Sequence, residues 1–325
     1  MRFIDHERGE GPGGLFISNT ARPTLAPGYV RVRVAAFGVN RADTLQRKGM
    51  YPPPPGESPI LGLEIAGEVI ELGDSKCQWQ AGDRVFGLVA GGGYAEEVVV
   101  LADHLMRCPA SLSFEQSAGL AEVFLTAFQC LYLIADIQKE QRALIHAGAS
   151  GVGLAAIQLC RLFGVETATT ASSPEKLALC KEMGASLLIN YRQDDFKEVV
   201  SQSWPDGVHM VLDVVGGDYL NRNLSLLARD GTVVYLAMLG GRYADKLDMA
   251  SLLGKRATIQ GTTLRNRTDG YKSSLIQLFT ERCLAAFDTG ELTVHLDTVF
   301  AVDDIAQAHQ RLENNDSMGK FVGRW

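Results

Sequence analysis

The chain has 325 residues, 46% hydrophobic and 21% charged, with a formal net charge of −7. That length predicts two domains of roughly 100–200 residues rather than one core, and the composition excludes a disordered or fibrous protein. The negative balance argues against a nucleic-acid partner, while leaving room for a local basic patch that holds one anionic ligand.

The start "MRFIDHERGEGPGG" lacks the continuous apolar stretch of a signal peptide, and no apolar run of about 18 residues follows. The expectation is a cytoplasmic protein with no membrane partner. Over the first 110 or so residues, short β-type runs such as "YVRVRVAAFGV", "EIAGEVIEL", "DRVFGLV" and "YAEEVVV" alternate with glycine and proline turns. Val30, Val32 and Val34 alternating with Arg31 and Arg33 mark a half-buried strand, and the segment reads as a β-rich, barrel-like domain.

From about Ser113 the period becomes helical: "SFEQSAGLAEVFLTAFQCLYLIA" offers a serine N-cap, an acidic first turn and apolar residues at helical spacing. Strands then alternate with helices: "RALIHAG" with "GVGLAAIQLCRLFG", "VETATTA" with "SPEKLALCKEMG", "SLLIN" with "DDFKEVVSQ", and "HMVLDVVGG" with "YLNRNLSLLA", before "GTVVYLAML". Such repetition predicts βαβ units and a doubly wound parallel sheet of the Rossmann kind. After about Leu264 the rhythm breaks into "YKSSLIQLFTERCLAAFDTG" and "GKFVGRW", a tail expected to pack back on the first domain. The predicted division is therefore 1–120 with 264–325 as a discontinuous catalytic domain and 121–263 as the cofactor domain. "ATIQGTTL", rich in β-formers, is an edge-strand candidate and predicts a homodimer with the sheet continuing across it.

The turn "HAGASGVG" places Gly148, Ser150 and Gly153 at the positions of a dinucleotide fingerprint. Ser150 departs from the usual glycine, and Gly151 is expected to offset this by taking unusual backbone angles that expose amides to phosphate. The second strand ends "TTASSPEK", so Ala171, Ser172 and Ser173 stand where an acid would accept ribose hydroxyls. Hydroxyls, Lys176 and a helix N-terminus suit a 2'-phosphate, and NADPH is favoured over NADH. Glu175 is the one nearby carboxylate that runs against this reading.

The six cysteines form no C-x-x-C pair and the six histidines no i, i+4 pair, so scattered thiols and no metal are expected. The segments "VNRADTLQRKGMYPPPPGESPILGLEIAGEV", "GGGYAEEVVV", "LTAFQCLY", "LIHAGASGVGLAAIQL", "INYRQDDF" and "GKFVG" resemble the medium-chain dehydrogenase/reductase superfamily. Within it the chain is similar to the zinc-free quinone oxidoreductases, most closely the p53-inducible type. The resemblance implies a β-rich GroES-like catalytic domain beside the Rossmann domain. Zinc relatives carry a cysteine in the stretch where this chain has Asn40 to Asp43, and a histidine where it has Leu63 between Gly62 and Glu64. Glu122, near a third ligand position, cannot hold zinc alone, which leaves no metal site.

What the resemblance implies residue by residue is a nicotinamide site. Asn40 would contact the cofactor near its nicotinamide end, Tyr51 would line the cleft, and Thr126 would lie near the pyrophosphate. Gly151 and Val152 would present loop amides, Lys176 and Tyr191 would hold the 2'-phosphate end, and Met238, Leu239, Gly240 and Leu264 would flank the nicotinamide. Lys320 would close the cleft. Tyr51, in "GMYP" after Asn40, is the candidate catalytic proton donor by similarity to enoyl thioester reductases. Asp43 and Glu64 are read as structural, the first bonded to backbone and the second paired with an arginine.

Without a Lewis acid, the suitable acceptors are quinones and conjugated enones, whose reduced forms are stabilised by their own conjugation. The expected activity is hydride transfer from NADPH to a quinone. The alternatives are an enone or 2-enoyl thioester reductase, and a low-turnover NADPH-binding sensor or structural protein.

Overall fold

The computed structural model describes residues 1–7 and 9–325, which divide into two compact units: Met1–Leu125 with Leu264–Trp325, and Thr126–Thr263. In the first unit β1 (Arg2–His6) and β2 (Leu15–Asn19) form an antiparallel ribbon. Then follow β3 (Tyr29–Val39), the short helix α1 (Arg41–Arg47), β4 (Glu64–Leu72), β5 (Arg84–Leu88), β6 (Glu97–Leu101) and β7 (Leu105–Arg107). Val30, Val32 and Val34 are buried as their alternation predicts, and Arg33 is exposed. Arg31 departs from the pattern: it is buried, because Glu71 and the Pro23 carbonyl take its guanidinium at 2.8 and 2.9 Å.

The predicted helix after Ser113 is broken. Ser113 caps α2 (Phe114–Ala118), accepting from the Gln116 amide, and the chain restarts as α3 (Ala121–Phe128), followed by a π-type stretch over Gln129–Ile134. Gly119 sits at the break because a side chain there would press within 3.0 Å of Lys320 Cγ and 3.1 Å of Leu296 Cδ2.

The second unit runs β8 (Arg142–Ile145), α4 (Gly151–Leu162), β9 (Glu166–Ala171), α5 (Pro174–Met183), β10 (Leu187–Asn190) and α6 (Phe196–Ser203). It continues as β11 (Val208–Asp213), α7 (Tyr219–Leu226), β12 (Leu227–Tyr235), α8 (Met249–Lys255) and β13 (Thr258–Gly261). All its strands are parallel, in the order β10-β9-β8-β11-β12-β13. Numbered from the first strand, that is the 3-2-1-4-5-6 order of a doubly wound dinucleotide fold, with its switch point between β8 and β11. β13 lies at an edge and is shorter than "ATIQGTTL" would allow. Leu144, Ala168, Val211 and Val233, all fully buried, centre the core of this unit.

The tail returns to the first unit as α9 (Asp269–Phe279), α10 (Ala285–Asp288), β14 (Leu296–Ala301), α11 (Ile305–Glu313) and β15 (Lys320–Arg324). β15 pairs antiparallel with β3, completing a sheet in the order β14-β15-β3-β4-β5-β7 from which β6 branches off β3. The pairing brings Lys320, 280 positions along the chain, to Asn40.

Candidate active site

In the second unit the turn between β8 and α4 has the build of a phosphate cradle. Ser150 is the N-cap of α4 and its hydroxyl accepts from the Gly153 amide at 3.1 Å, which is the use of the serine that replaces glycine. Gly148 tolerates no side chain, since a Cβ would lie 1.8 Å from Thr169 Oγ1, and one at Gly153 would lie 2.5 Å from the Ala147 carbonyl. The expectation for Gly151 needs correction: the left-handed residue of the turn is Ala147, with φ 54°, and Gly151 is the first residue of α4, followed by Val152. The free amides of the first turn and the helix dipole there favour a phosphate.

A buried chain of polar groups supports this turn from below. The His146 ring contacts Thr170 Oγ1 at 3.1 Å through Nδ1 and Asn223 Oδ1 at 2.9 Å through Nε2, and Asn223 donates to Asp213 at 2.8 Å. Thr170 Oγ1 also accepts from the Ala147 amide, and its backbone carbonyl accepts from Gly148. Burial holds the His146 imidazole below its usual pKa. Sequence reasoning passed over this network, whose members lie up to 77 positions apart.

Ser172, Lys176 and Tyr191 gather at the carboxyl ends of β9 and β10. The Tyr191 amide donates to the Ala171 carbonyl at 3.2 Å, and the Lys176 amide is capped by Ser173. Glu175 turns back on the Ser173 side chain, which holds its carboxyl below the usual range. Beyond β12, the amides of Leu239 and Gly240 donate to the carbonyls of Val214 and Val215 at 3.1 and 2.8 Å. Met238 lines a cavity of about 570 Å³ at the carboxyl ends of β11, β12 and β13, with Gly216, Gly217 and Thr262. Thr126 is buried on α3.

The first unit brings Asn40 and Lys320 together around Glu64. The Asn40 amide donates to Glu64 Oε1 at 2.9 Å, the Lys320 ammonium pairs with the same oxygen at 2.5 Å and donates to Asn40 Oδ1, and Glu64 Oε2 accepts from the Glu122 backbone amide at 2.8 Å. Gly38 makes space, as a Cβ would lie 2.1 Å from Glu64 Oε1. Glu64 was expected to pair with an arginine; its partner is Lys320, because Arg31 and Arg33 are taken by Glu71 and Glu68. Asp43 is structural as expected, accepting from the Asn40 and Gly62 amides and from Tyr94. Burial pushes its carboxyl up to about 6. Among the described residues no cluster of three His, Cys, Asp or Glu side chains is placed to hold a metal ion. None of the six cysteines forms a disulfide among the described residues, and burial pushes Cys160, Cys180 and Cys283 up to about 12, away from thiolate chemistry.

Burial and the adjacent Glu64 carboxylate push Glu122 up to about 8, with Lys320 and Arg265 opposing and Asp43 adding to the rise. A carboxyl whose pKa is raised by folding stabilises the fold below its unfolded value and loses that contribution as pH rises through the folded value. Glu122→Gln is therefore expected to match the parent in melting temperature near pH 4 and to exceed it by a margin that widens up to about pH 8 and persists at pH 9. Equal melting temperatures at pH 4 and at pH 9 would show that Glu122 titrates normally.

Two family models match: "Alcohol dehydrogenase GroES-like domain" over residues 26–110 and "Zinc-binding dehydrogenase" over residues 151–281. The human synaptic vesicle membrane protein VAT-1 homolog is 30% identical over 315 residues, spanning 93% of this chain and 80% of that protein. The chain belongs to the medium-chain dehydrogenase/reductase superfamily. Escherichia coli quinone oxidoreductase complexed with NADPH superposes with a TM-score of 0.88 at 27% identity, covering 100% of both chains. CurK enoyl reductase does so at 0.88 and 26%, covering 99% of this chain and 98% of that one. As a member of this superfamily the protein is an oxidoreductase, with a GroES-like unit and a Rossmann unit. No helix among the described residues is long and apolar enough to cross a membrane.

Proposed function

We propose that the protein is an NADPH-dependent quinone oxidoreductase working without zinc. The observation that carries the cofactor choice is the end of β9: Ser172 and Lys176 stand where an acid would select NADH, beside Tyr191, and the one nearby carboxylate, Glu175, is turned on to Ser173. The likeness to a quinone oxidoreductase complexed with NADPH supports the same reading.

When bound, reduced nicotinamide supplies hydride. The chain's own residues do the rest. Gly148, Ser150, Gly151, Val152 and Gly153 form the turn that would take the pyrophosphate, and Lys176 and Tyr191 the 2'-phosphate. Asn40, Thr126, Met238, Leu239, Gly240 and Leu264 are assigned to the nicotinamide end. Lys320 holds the Asn40 amide in one orientation. Tyr51 is assigned to the acceptor, as a wall and proton donor.

Anaerobic steady-state assays with 1,2-naphthoquinone, a simple enone and an enoyl thioester test the reading. The expected result is rapid NADPH oxidation with the quinone, undiminished by a zinc chelator. A preference for the thioester would favour the second reading, an enoyl reductase, which the CurK likeness supports. Tight NADPH binding with no turnover on any acceptor would indicate a sensor or structural role.

Assembly follows from β13, whose outer edge carries no strand partner among the described residues. An unpaired edge of this kind is a template for its twin. The mass in solution is expected to be that of a homodimer, and Ile259→Pro is expected to shift it towards the monomer. A parent protein of monomeric mass would contradict the proposal.

A further inference from the structure

The hydrogen bonds of one buried guanidinium in the first unit do not add up. Arg265 is 4% exposed, and its Nε donates to the Ala90 carbonyl at 2.8 Å. Its terminal nitrogens Nη1 and Nη2 are buried and have no acceptor among the described residues. Those two nitrogens carry most of the five N–H donors of an arginine, and leaving charged donors buried without partners is costly. A buried polar group in that condition marks a place where another atom completes the shell.

The surroundings define that atom. The Tyr51 ring centroid lies 5.6 Å from the guanidinium carbon, close enough for a cation–π contact that steadies both groups. Arg265 also lines a void of about 10 Å³ with Leu264, Glu122 and Lys272. That is room for about one oxygen-sized atom, too little for a carboxylate or phosphate. Glu122 does not cancel the charge, because it keeps its proton through neutral pH. The Asp43 carboxylate is engaged by the Asn40 and Gly62 amides and by Tyr94.

We propose that Arg265 receives the carbonyl oxygen of the acceptor and holds the negative charge that hydride addition places on it. This rests on the quinone reading above. Hydride carries two electrons and one hydrogen from reduced nicotinamide, which is oxidised, into the conjugated acceptor. A C–H bond forms at a ring carbon and the displaced π pair comes to rest on the oxygen held by Arg265. Uptake of one proton through Tyr51, which regains it from water, followed by tautomerisation, gives the neutral hydroquinone. Arg265 thus acts as an oxyanion donor, and Tyr51 beside it orients the ring that bears the oxygen.

The test uses the full chain loaded with NADP⁺ and titrated with 4-nitrophenol, whose yellow phenolate reports an oxyanion without turnover. The parent protein is expected to bind the phenolate, Arg265→Gln to lose it, and Arg265→Lys to hold it about tenfold more weakly because a point charge replaces the fork. With 1,2-naphthoquinone, Arg265→Gln is expected to lower kcat by about 10²–10³ with the KM for NADPH unchanged. Equal phenolate binding by the parent and Arg265→Gln, or none by the parent, overturns the proposal. Should Arg265→Gln fail to fold, Arg265→Lys carries the same titration, and binding equal to the parent's overturns it. If the parent is inert towards every quinone yet binds the phenolate through Arg265, the quinone reading falls and the oxyanion site stands.

Discussion

Lys320→Met is expected to cost about 3–5 kcal/mol of folding stability, read as a lowered denaturant midpoint at unchanged slope. The lysine side chain is 5% exposed and pairs with Glu64, which is fully buried, at 2.5 Å. Methionine fills similar volume but leaves the carboxylate with only the Asn40 and Glu122 amides. The penalty is mostly that of a charge stranded away from water, rather than the worth of the pair itself. The double variant Glu64→Gln with Lys320→Met is therefore expected to recover much of the loss, because no uncompensated charge remains. A single variant within about 0.5 kcal/mol of the parent would mean that the pair is solvated in solution.

Lys176→Ala is expected to raise the KM for NADPH by about 10- to 100-fold and to leave NADH almost unaffected. A charge-assisted hydrogen bond to phosphate contributes about 1.5–3 kcal/mol, and only NADPH has a 2'-phosphate to lose it. Lys176 lies in the first turn of α5, where Ser173 caps the helix and its dipole adds to the attraction for an anion. Installing an acid at the end of β9, as Ser172→Asp, is expected to reverse the preference. If both nucleotides weakened equally in Lys176→Ala, the lysine would serve the fold and not the phosphate.

The Rossmann unit was legible because its βα units announce themselves by alternating period, and because a glycine that cannot carry a Cβ, such as Gly148, leaves a fixed mark in the sequence. The role of Ser150 was less so, since a cap and a phosphate ligand use the same residue type. Misreadings came where the answer lay far along the chain. The sequence pairs Glu64 with an arginine of the same domain, but the cross-strand positions give Arg33 and Arg31 to Glu68 and Glu71, and the partner of Glu64 arrives on β15. The break at Gly119 has the same origin, as it makes room for Lys320 and Leu296 from the tail. Arg265 was passed over because an arginine in a linker reads as a solvated charge. Only the structure buries its terminal nitrogens without an acceptor and sets its guanidinium beside the Tyr51 ring. The short helix α8, capped by Asp248 and packing only the half-buried Leu252 on the core, carries too little pattern to be read from the chain.

Hydride delivery from NADPH to a quinone is proposed to need no component beyond this chain. It is tested most directly by an anaerobic single turnover in which the metal-free protein, preloaded with one equivalent of NADPH, is mixed with 1,2-naphthoquinone. The nicotinamide absorbance is expected to decay in one phase as one equivalent of hydroquinone forms, and NADH at the same concentration to give a much smaller amplitude. Bound NADPH that persists in the presence of the quinone, or decay that requires added zinc, would contradict it.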